Sequence, residues 1–243
     1  NLIGVASGLI NIGFKVVVYT ISNFLVHRCF EQLRNDISLH KKSIVMIGTS
    51  CGYDNAPLGP THHIIDDWGY IKNLPNFEVY CPSNISFCEK LFVKLININK
   101  AIYLRIPKGG FNKINSSNDF QYIKGSSKNI FLTYGAMAEE LYSVNEKLNQ
   151  SLLIFNKLHP IDSRLIINIL KKYQNIYVAE DHFGSNGLYD SICKLLVAAS
   201  FVSNVKSLAP KDYDLTVGLD KKYFFKANKI DYNSVKLLLK FSD

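Results

Sequence analysis

The run Ser43-Ile44-Val45-Met46-Ile47-Gly48, followed by a loop from Thr49 to Thr61 that closes on Gly59-Pro60-Thr61-His62-His63, decides how this chain is read. A short apolar, β-branched run is what a parallel strand buried on both faces requires. A glycine- and proline-rich loop at its carboxyl end, leading into a helical pattern over His63 to Ile71, makes a strand–loop–helix unit. In parallel α/β sheets, ligand sites gather in such loops beyond the carboxyl ends of the strands. Two imidazoles placed there can donate hydrogen bonds or shuttle protons near neutral pH. The alternative is that Thr61 caps the helix while His62 and His63 simply pack. Adjacent histidines rarely reach one metal together, and no Cys or acid stands at zinc-ligand spacing, so no metal site is expected.

Working outward, the same rhythm repeats. Leu2 to Ile12 places Ile3, Ala6, Leu9 and Ile10 on one helical face and ends at Gly13. Lys15 to Thr20 reads as a buried strand, and Phe24 to Leu39 returns to helical spacing. Phe77 to Cys81, Asn84 to Ile98 and Ala101 to Ile106 read as strand, helix, strand. Lys108 to Ser127, with Gly109, Gly110, Gly125 and many Asn and Ser residues, reads as a linker. After it the pattern restarts: strands at Asn129 to Thr133, Leu152 to Phe155, Ile176 to Ala179 and Val205 to Leu208 alternate with helices at Met137 to Leu148, Ser163 to Tyr173, Leu188 to Ser200 and Ser234 to Leu239. Strands alternating with helices imply parallel sheets with right-handed crossovers. The expected fold class is α/β, as two three-layer domains over residues 1–112 and 128–243, joined by a linker at 113–127.

Composition narrows the function classes. The chain has 243 residues, 47% of them hydrophobic, enough for two cores of about 100 residues each. No apolar run reaches the length of about 18 residues that a membrane-spanning helix needs, so no membrane partner is expected. The net charge is +8, but the lysines are scattered, so a nucleic-acid partner is not expected either. The excess suits phosphorylated metabolites or solubility. The five cysteines lack paired short spacing, which points to a reducing, cytoplasmic setting. Asn1 stands where Met would, so residues upstream are expected, and no basic-then-apolar leader opens the chain.

These stretches together resemble the transketolases. The Gly59-Pro60-Thr61-His62 segment, then Asp66-Asp67, Leu74-Pro75-Asn76 and Cys81-Pro82, is similar to one continuous part of that family. Upstream, Tyr19-Thr20-Ile21-Ser22-Asn23-Phe24-Leu25, Arg28 and Glu31-Gln32-Leu33-Arg34-Asn35-Asp36 resemble the stretch that holds the aminopyrimidine ring of thiamine diphosphate. Tyr103-Leu104-Arg105-Ile106-Pro107-Lys108-Gly109 resembles a strand ending in a substrate-contacting arginine. Further on, Leu158-His159-Pro160-Ile161-Asp162 resembles a Lys-Pro-Leu-Asp stretch, and Glu180-Asp181-His182 with Gly187-Leu188 resembles Glu-Glu-His and Gly-Gly-Leu-Gly. The likeness covers nearly the whole chain, and the order and spacing of the motifs carry it.

The resemblance implies a pyrimidine-binding domain followed by a transketolase C-terminal domain, the C-terminal half of a split, two-chain enzyme. It implies a transferase of carbohydrate metabolism that moves a two-carbon ketol unit from a ketose to an aldehyde. Phe24 would stack on the aminopyrimidine, with Ile21 and Asn23 beside it; a core aromatic at a helix start is the alternative for Phe24. His62 would face the sugar's hydroxyls and assist proton transfer, with His63 its neighbour. Arg105 would bind substrate oxygens as a forked donor, or be a solvated strand-end charge. Arg28 would line the same entrance, or make a surface salt bridge, and Ser50 falls where sugar-using members carry another histidine. Leu58 stands where sugar-phosphate enzymes place an aspartate.

The resemblance also implies a glutamate that protonates the aminopyrimidine ring, two positions before Asn1 in a Glu-Gln/His-Asn/Ala pattern. No phosphate loop followed by Asp and Asn is present, so the diphosphate and Mg²⁺ would be held mainly by an N-terminal subunit, in an assembly of two chains of each kind, a heterotetramer. Substrates would be sugars or sugar phosphates. Alternatives are a deoxyxylulose-phosphate-synthase-like or 2-oxo-acid-decarboxylating subunit, or a non-catalytic scaffold paralogue.

Overall fold

The structure, a computed structural model, describes residues 1–108 and 118–240. Four parallel strands begin the first sheet: β1 (Val17–Ile21), β2 (Ile44–Thr49), β3 (Phe77–Tyr80) and β4 (Ala101–Ile106), in the order β1-β2-β4-β3. β2 and β4 lie inside, and their alternating side chains feed two cores. Met46 and Tyr103 face one, while Val45, Ile102 and Leu104 face the other, beneath helix α5 (Ile85–Leu95). Asn84 starts that helix by accepting from Phe87 N–H at 2.7 Å.

The second sheet comprises β5 (Phe120–Ile123), β6 (Asn129–Tyr134), β7 (Ser151–Phe155), β9 (Asn175–Ala179) and β10 (Asn204–Leu208), in the order β10-β9-β6-β7-β5. Its pairs are parallel except for β5 on β7. Helices α6 (Met137–Leu148), α7 (Ser163–Leu170) and α8 (Leu188–Ala198) are the crossovers, and α10 (Tyr232–Lys240) packs on α6. Both halves are therefore α/β with mostly parallel sheets, as the strand–helix alternation requires.

The structure differs from the sequence reading in several places. Residues 109–117 of the expected linker lie outside the described residues, and part of its remainder forms β5. The expected helix from Phe24 to Leu39 is broken into α2 (Ser22–Val26), α3 (Phe30–Gln32) and a π-helical stretch, Leu33–Ser38. Cys29, with φ −110 and ψ 11, leaves helical geometry between the first two. The helix expected from His63 starts only at Asp67, as α4 (Asp67–Ile71), because Ile64 pairs with Gly52 in a β-bridge. Finally, Lys157–His159 (β8) leaves the second half to pair antiparallel with β3 of the first sheet.

That exchanged strand joins the halves. A single buried apolar cluster contains Met46, Trp68 and Tyr103 from the first and Tyr134, Leu158 and Ile192 from the second. Within it Trp68 Nε1–H donates to the Tyr134 hydroxyl at 3.0 Å. Helix α1 (Leu2–Asn11) covers the outer end of this core with Ile3 and Ala6. Among the described residues no helix is long and apolar enough to cross a membrane.

Candidate functional site

The carboxyl end of β1 runs directly into α2, which brings Ile21, Asn23, Phe24, His27 and Arg28 to one corner of the first sheet. Ile21, half-buried, is the residue before the helix, in extended geometry. The amide of Asn23 donates to the carbonyls of Thr61 and His63, both at 2.8 Å. Two hydrogen bonds from one side chain thus fasten the Gly59–His63 loop to α2. The loop turns on Gly59 at φ 79, with His62 N–H and His63 N–H both donating to its carbonyl. A Cβ at Gly59 would meet Val217 Cγ1 at 2.3 Å, so only glycine fits there.

Fastened this way, His62 stands edge-on to Phe24, with centroids 5.7 Å apart and planes at 72°. Its Nδ1 lies 3.0 Å from the Thr61 hydroxyl, so Thr61 orients the imidazole rather than capping a helix. Phe24 is half-buried, not a core aromatic, and the Arg28 guanidinium lies 4.0 Å above its ring centroid. Among the described residues Arg28 has no carboxylate partner, so the surface salt bridge is absent.

Three residues are placed otherwise than the resemblance implies. His63 is 3% exposed, edge-on to Tyr53 and Phe224 at 5.1 and 4.7 Å. Burial lowers its pKa, so it is a neutral packed imidazole, facing helix α9 (Lys221–Ala227) and not the site. Ser50 is 4% exposed, in left-handed backbone at φ 61, where the chain leaves β2. Arg105 is fully buried: Nε donates to Asp67 Oδ2 at 2.9 Å, one terminal nitrogen to Asp181 Oδ1 at 3.1 Å and the other to the Ile64 carbonyl at 3.3 Å. Burial opposes its charge, but the two carboxylates outweigh that and hold it protonated. It is not a solvated charge: fully buried, it clamps the two halves from inside.

A neighbouring cluster has no counterpart in the sequence reading. His27 Nε2 lies 3.0 Å from Asp66 Oδ1, and the Tyr213 hydroxyl donates to Asp66 Oδ2 at 2.7 Å. The adjacent Asp66 carboxylate raises the His27 pKa against the opposing effect of burial. Burial works against ionisation of Asp66, yet His27 and Tyr213 prevail and hold its carboxyl below the usual range. His27 sits three residues after Phe24, a spacing that put it within reach of inference. Tyr213 comes from an irregular stretch after β10 and gave no sequence signal. The same stretch lies over the motif loop, with Gly218 N–H donating to the Pro57 carbonyl at 2.9 Å.

Among the described residues no group of three or more His, Cys, Asp or Glu side chains converges on a metal-sized space. A cavity of about 860 Å³ opens between the start of α5 and the starts of α6 and α9, lined by Ile47, Ile85, Phe92, Ile106 and Lys221 among others. None of Phe24, Arg28, His62 or His63 reaches it, so volume and motif chemistry lie apart, and the chemistry decides the site.

Comparison with known proteins bears on the fold. Residues 1–113 match the family described as transketolase, pyrimidine binding domain. One of the subunits of apulose-4-phosphate transketolase from Actinobacillus succinogenes is 23% identical over 97% of this chain and 79% of its own length. The 1-deoxy-D-xylulose-5-phosphate synthase of Clostridium beijerinckii is 26% identical over 100% of the chain but only 41% of the synthase. Among solved structures, a split gene transketolase described as an inactive beta4 tetramer superposes with a TM-score of 0.85, at 21% identity, over 97% of this chain and 78% of that one. Transketolase from Campylobacter jejuni gives 0.70 at 14% identity, over 92% and 35%. The first 113 residues therefore match a transketolase pyrimidine-binding domain, and the chain shares the fold of a split transketolase along nearly its whole length.

Proposed function

We propose that this chain is the C-terminal subunit of a two-chain, thiamine-diphosphate-dependent transferase that moves a two-carbon ketol unit from a ketose to an aldehyde acceptor. The observation that carries this is the pairing of Phe24 with His62. A half-exposed aromatic ring and an oriented imidazole share one corner, where Asn23 ties their two elements together. A flat heterocycle can stack on the ring of Phe24 while His62 reaches the groups beside it.

When bound, the cofactor supplies a ring carbon that acts as a nucleophile toward a ketose carbonyl. Phe24 would hold its aminopyrimidine, with Ile21 and Asn23 shaping the wall. Arg28 now rests on that ring, and an exposed cation–π contact is worth about 0.5–1 kcal/mol, so yielding the face costs little. His62 would carry a proton to or from a sugar oxygen. Leu58, 56% exposed, offers no hydrogen bond where sugar-phosphate enzymes have an aspartate, so acceptor recognition would rest on other groups.

We assign Mg²⁺ and the diphosphate to a separate N-terminal chain, in a two-plus-two assembly, since the described residues of this chain offer no metal-binding group. The split neighbour, inactive as a beta4 tetramer, supports the need for that chain. Five free cysteines suit a reducing, cytoplasmic compartment. A second reading is favoured by the likeness to a deoxyxylulose-phosphate synthase over the whole chain: the same site with pyruvate as donor.

A donor–acceptor screen of the reconstituted pair, read by mass spectrometry, tests both. Products two carbons longer than the acceptor, formed from a ketose, support ketol transfer. Carbon dioxide release from pyruvate supports the second reading, and the absence of both leaves a scaffold. Phe24→Ala is expected to weaken thiamine diphosphate binding about tenfold, the loss of an aromatic contact of about 1.5 kcal/mol, with a small change in melting temperature. Unchanged cofactor affinity with a large fall in melting temperature would return Phe24 to a packing role.

A further inference from the structure

The stretch after β10, residues 209–220, has no regular structure and comes from the second half of the chain. It nevertheless touches the motif loop of the first half on both sides of His62. Before His62, Gly218 N–H donates to the Pro57 carbonyl at 2.9 Å, and Val217 lies against Gly59. After it, the Tyr213 hydroxyl donates to Asp66 Oδ2 at 2.7 Å.

Three segments meet at Asp66. Its side chain is 12% exposed, and among the described residues each carboxylate oxygen has one partner. His27 Nε2, 3.0 Å from Oδ1, belongs to the segment running from β1 through α2, and Tyr213 belongs to the second half. A carboxylate so far withdrawn from water needs both partners.

Helix α2 is thereby fastened at its two ends. Near its start, the Asn23 amide bonds the carbonyls of Thr61 and His63. His27 caps its other end, with its N–H on the Asn23 carbonyl at 3.2 Å, and its ring meets Asp66. A five-residue helix held at one point is free to pivot, and a second point fixes its tilt. Phe24 rides on this helix and His62 on the loop, so the 5.7 Å between their rings depends on both fastenings. The first lies wholly within the first half. The second runs through a carboxylate that the second half completes.

We propose that residues 209–220 are a positioning element of the Phe24–His62 corner, with Tyr213 as the positioning residue. Acting through Asp66 and His27, Tyr213 fixes the tilt of α2 and so the seat of any flat ring stacked on Phe24. The second half thus takes part in the site without lining it. Without the hydroxyl, Asp66 Oδ2 is unpaired, the carboxylate turns to recover a donor, and α2 pivots on Asn23. The positioning stands on these contacts alone; its effect on the cofactor rests on the ketol-transfer reading.

The competing role for Tyr213 is packing, since its ring stands edge-on to Phe183 at 5.1 Å. Tyr213→Phe separates the two roles, because it keeps that ring and removes only the hydroxyl of a residue that is 48% exposed. In the NMR spectrum of the chain alone, the ring signals of Phe24 and His62 are expected to shift in this variant, although the lost hydroxyl bonds to neither, with little change in melting temperature. Ring signals that stay in place overturn the proposal, whether or not the melting temperature falls.

In the reconstituted pair, Tyr213→Phe is expected to weaken thiamine diphosphate binding about tenfold, the loss of one hydrogen bond to a charged group. Asp66→Asn breaks the same link, so adding Tyr213→Phe to it should cost nothing further, whereas independent losses add. Additive losses, or an affinity that Tyr213→Phe leaves unmoved, overturn the proposal. If the wild-type pair binds no thiamine diphosphate, the reaction reading fails, and the ring signals of the chain alone still decide the positioning.

Discussion

Arg105→Leu is expected to lower the stability of the chain by about 3–5 kcal/mol, the usual cost of breaking a buried ion network from one side. The side chains of Arg105 and Asp67 are 0% exposed and that of Asp181 is 2% exposed, so removing the cation strands two carboxylates in an apolar interior. The Tyr103 hydroxyl, 2.6 Å from Asp67 Oδ2, cannot replace a full charge. Arg105→Lys also fails, because one ammonium cannot span Asp67, Asp181 and the Ile64 carbonyl together. Since Asp181 comes from the second half, the variant loosens the two halves along with the core. Urea unfolding measures the loss. Near-normal stability with a raised KM would restore Arg105 to a substrate-binding role.

His62→Ala is expected to act on turnover instead. Removing a positioned acid–base group costs about 10²–10⁴ in kcat, and the half-buried ring, touching Phe24 and Thr61, supports little of the fold. His63→Ala should do the reverse. Its ring fills the space between Tyr53 and Phe224, and its loss opens a cavity costing about 1–3 kcal/mol. Melting curves beside steady-state kinetics separate the two histidines. A pure loss of stability in His62→Ala would assign it to packing, and a turnover loss in His63→Ala at full stability would make it a participant.

The division between these histidines marks how far sequence alone reaches. The central strands were legible because Ile44–Met46 and Ala101–Leu104 are buried on both faces, which demands continuous apolar runs. β5 and β8 were not, being four and three residues long and antiparallel at sheet edges, where no such run is needed. Phe24, Arg28 and His62 were singled out by the transketolase resemblance, and the structure sets Phe24 against both of the others. Arg105 misled, because its partners lie 38 and 76 residues away and nothing local distinguishes a strand-end charge from a buried one. His27 lay open to inference only as a neighbour of Phe24, and its meaning depends on Asp66 and on Tyr213, 147 residues beyond Asp66.

The central claim is that a cofactor ring seats on Phe24 while another chain grips its phosphates. Calorimetric titration of thiamine diphosphate with Mg²⁺ into this chain, alone and then mixed with its N-terminal partner, tests it most directly. The account predicts no measurable heat of binding for the chain alone at micromolar protein and a saturable isotherm for the mixture. Tight binding by the chain alone, or none by the mixture, would contradict it.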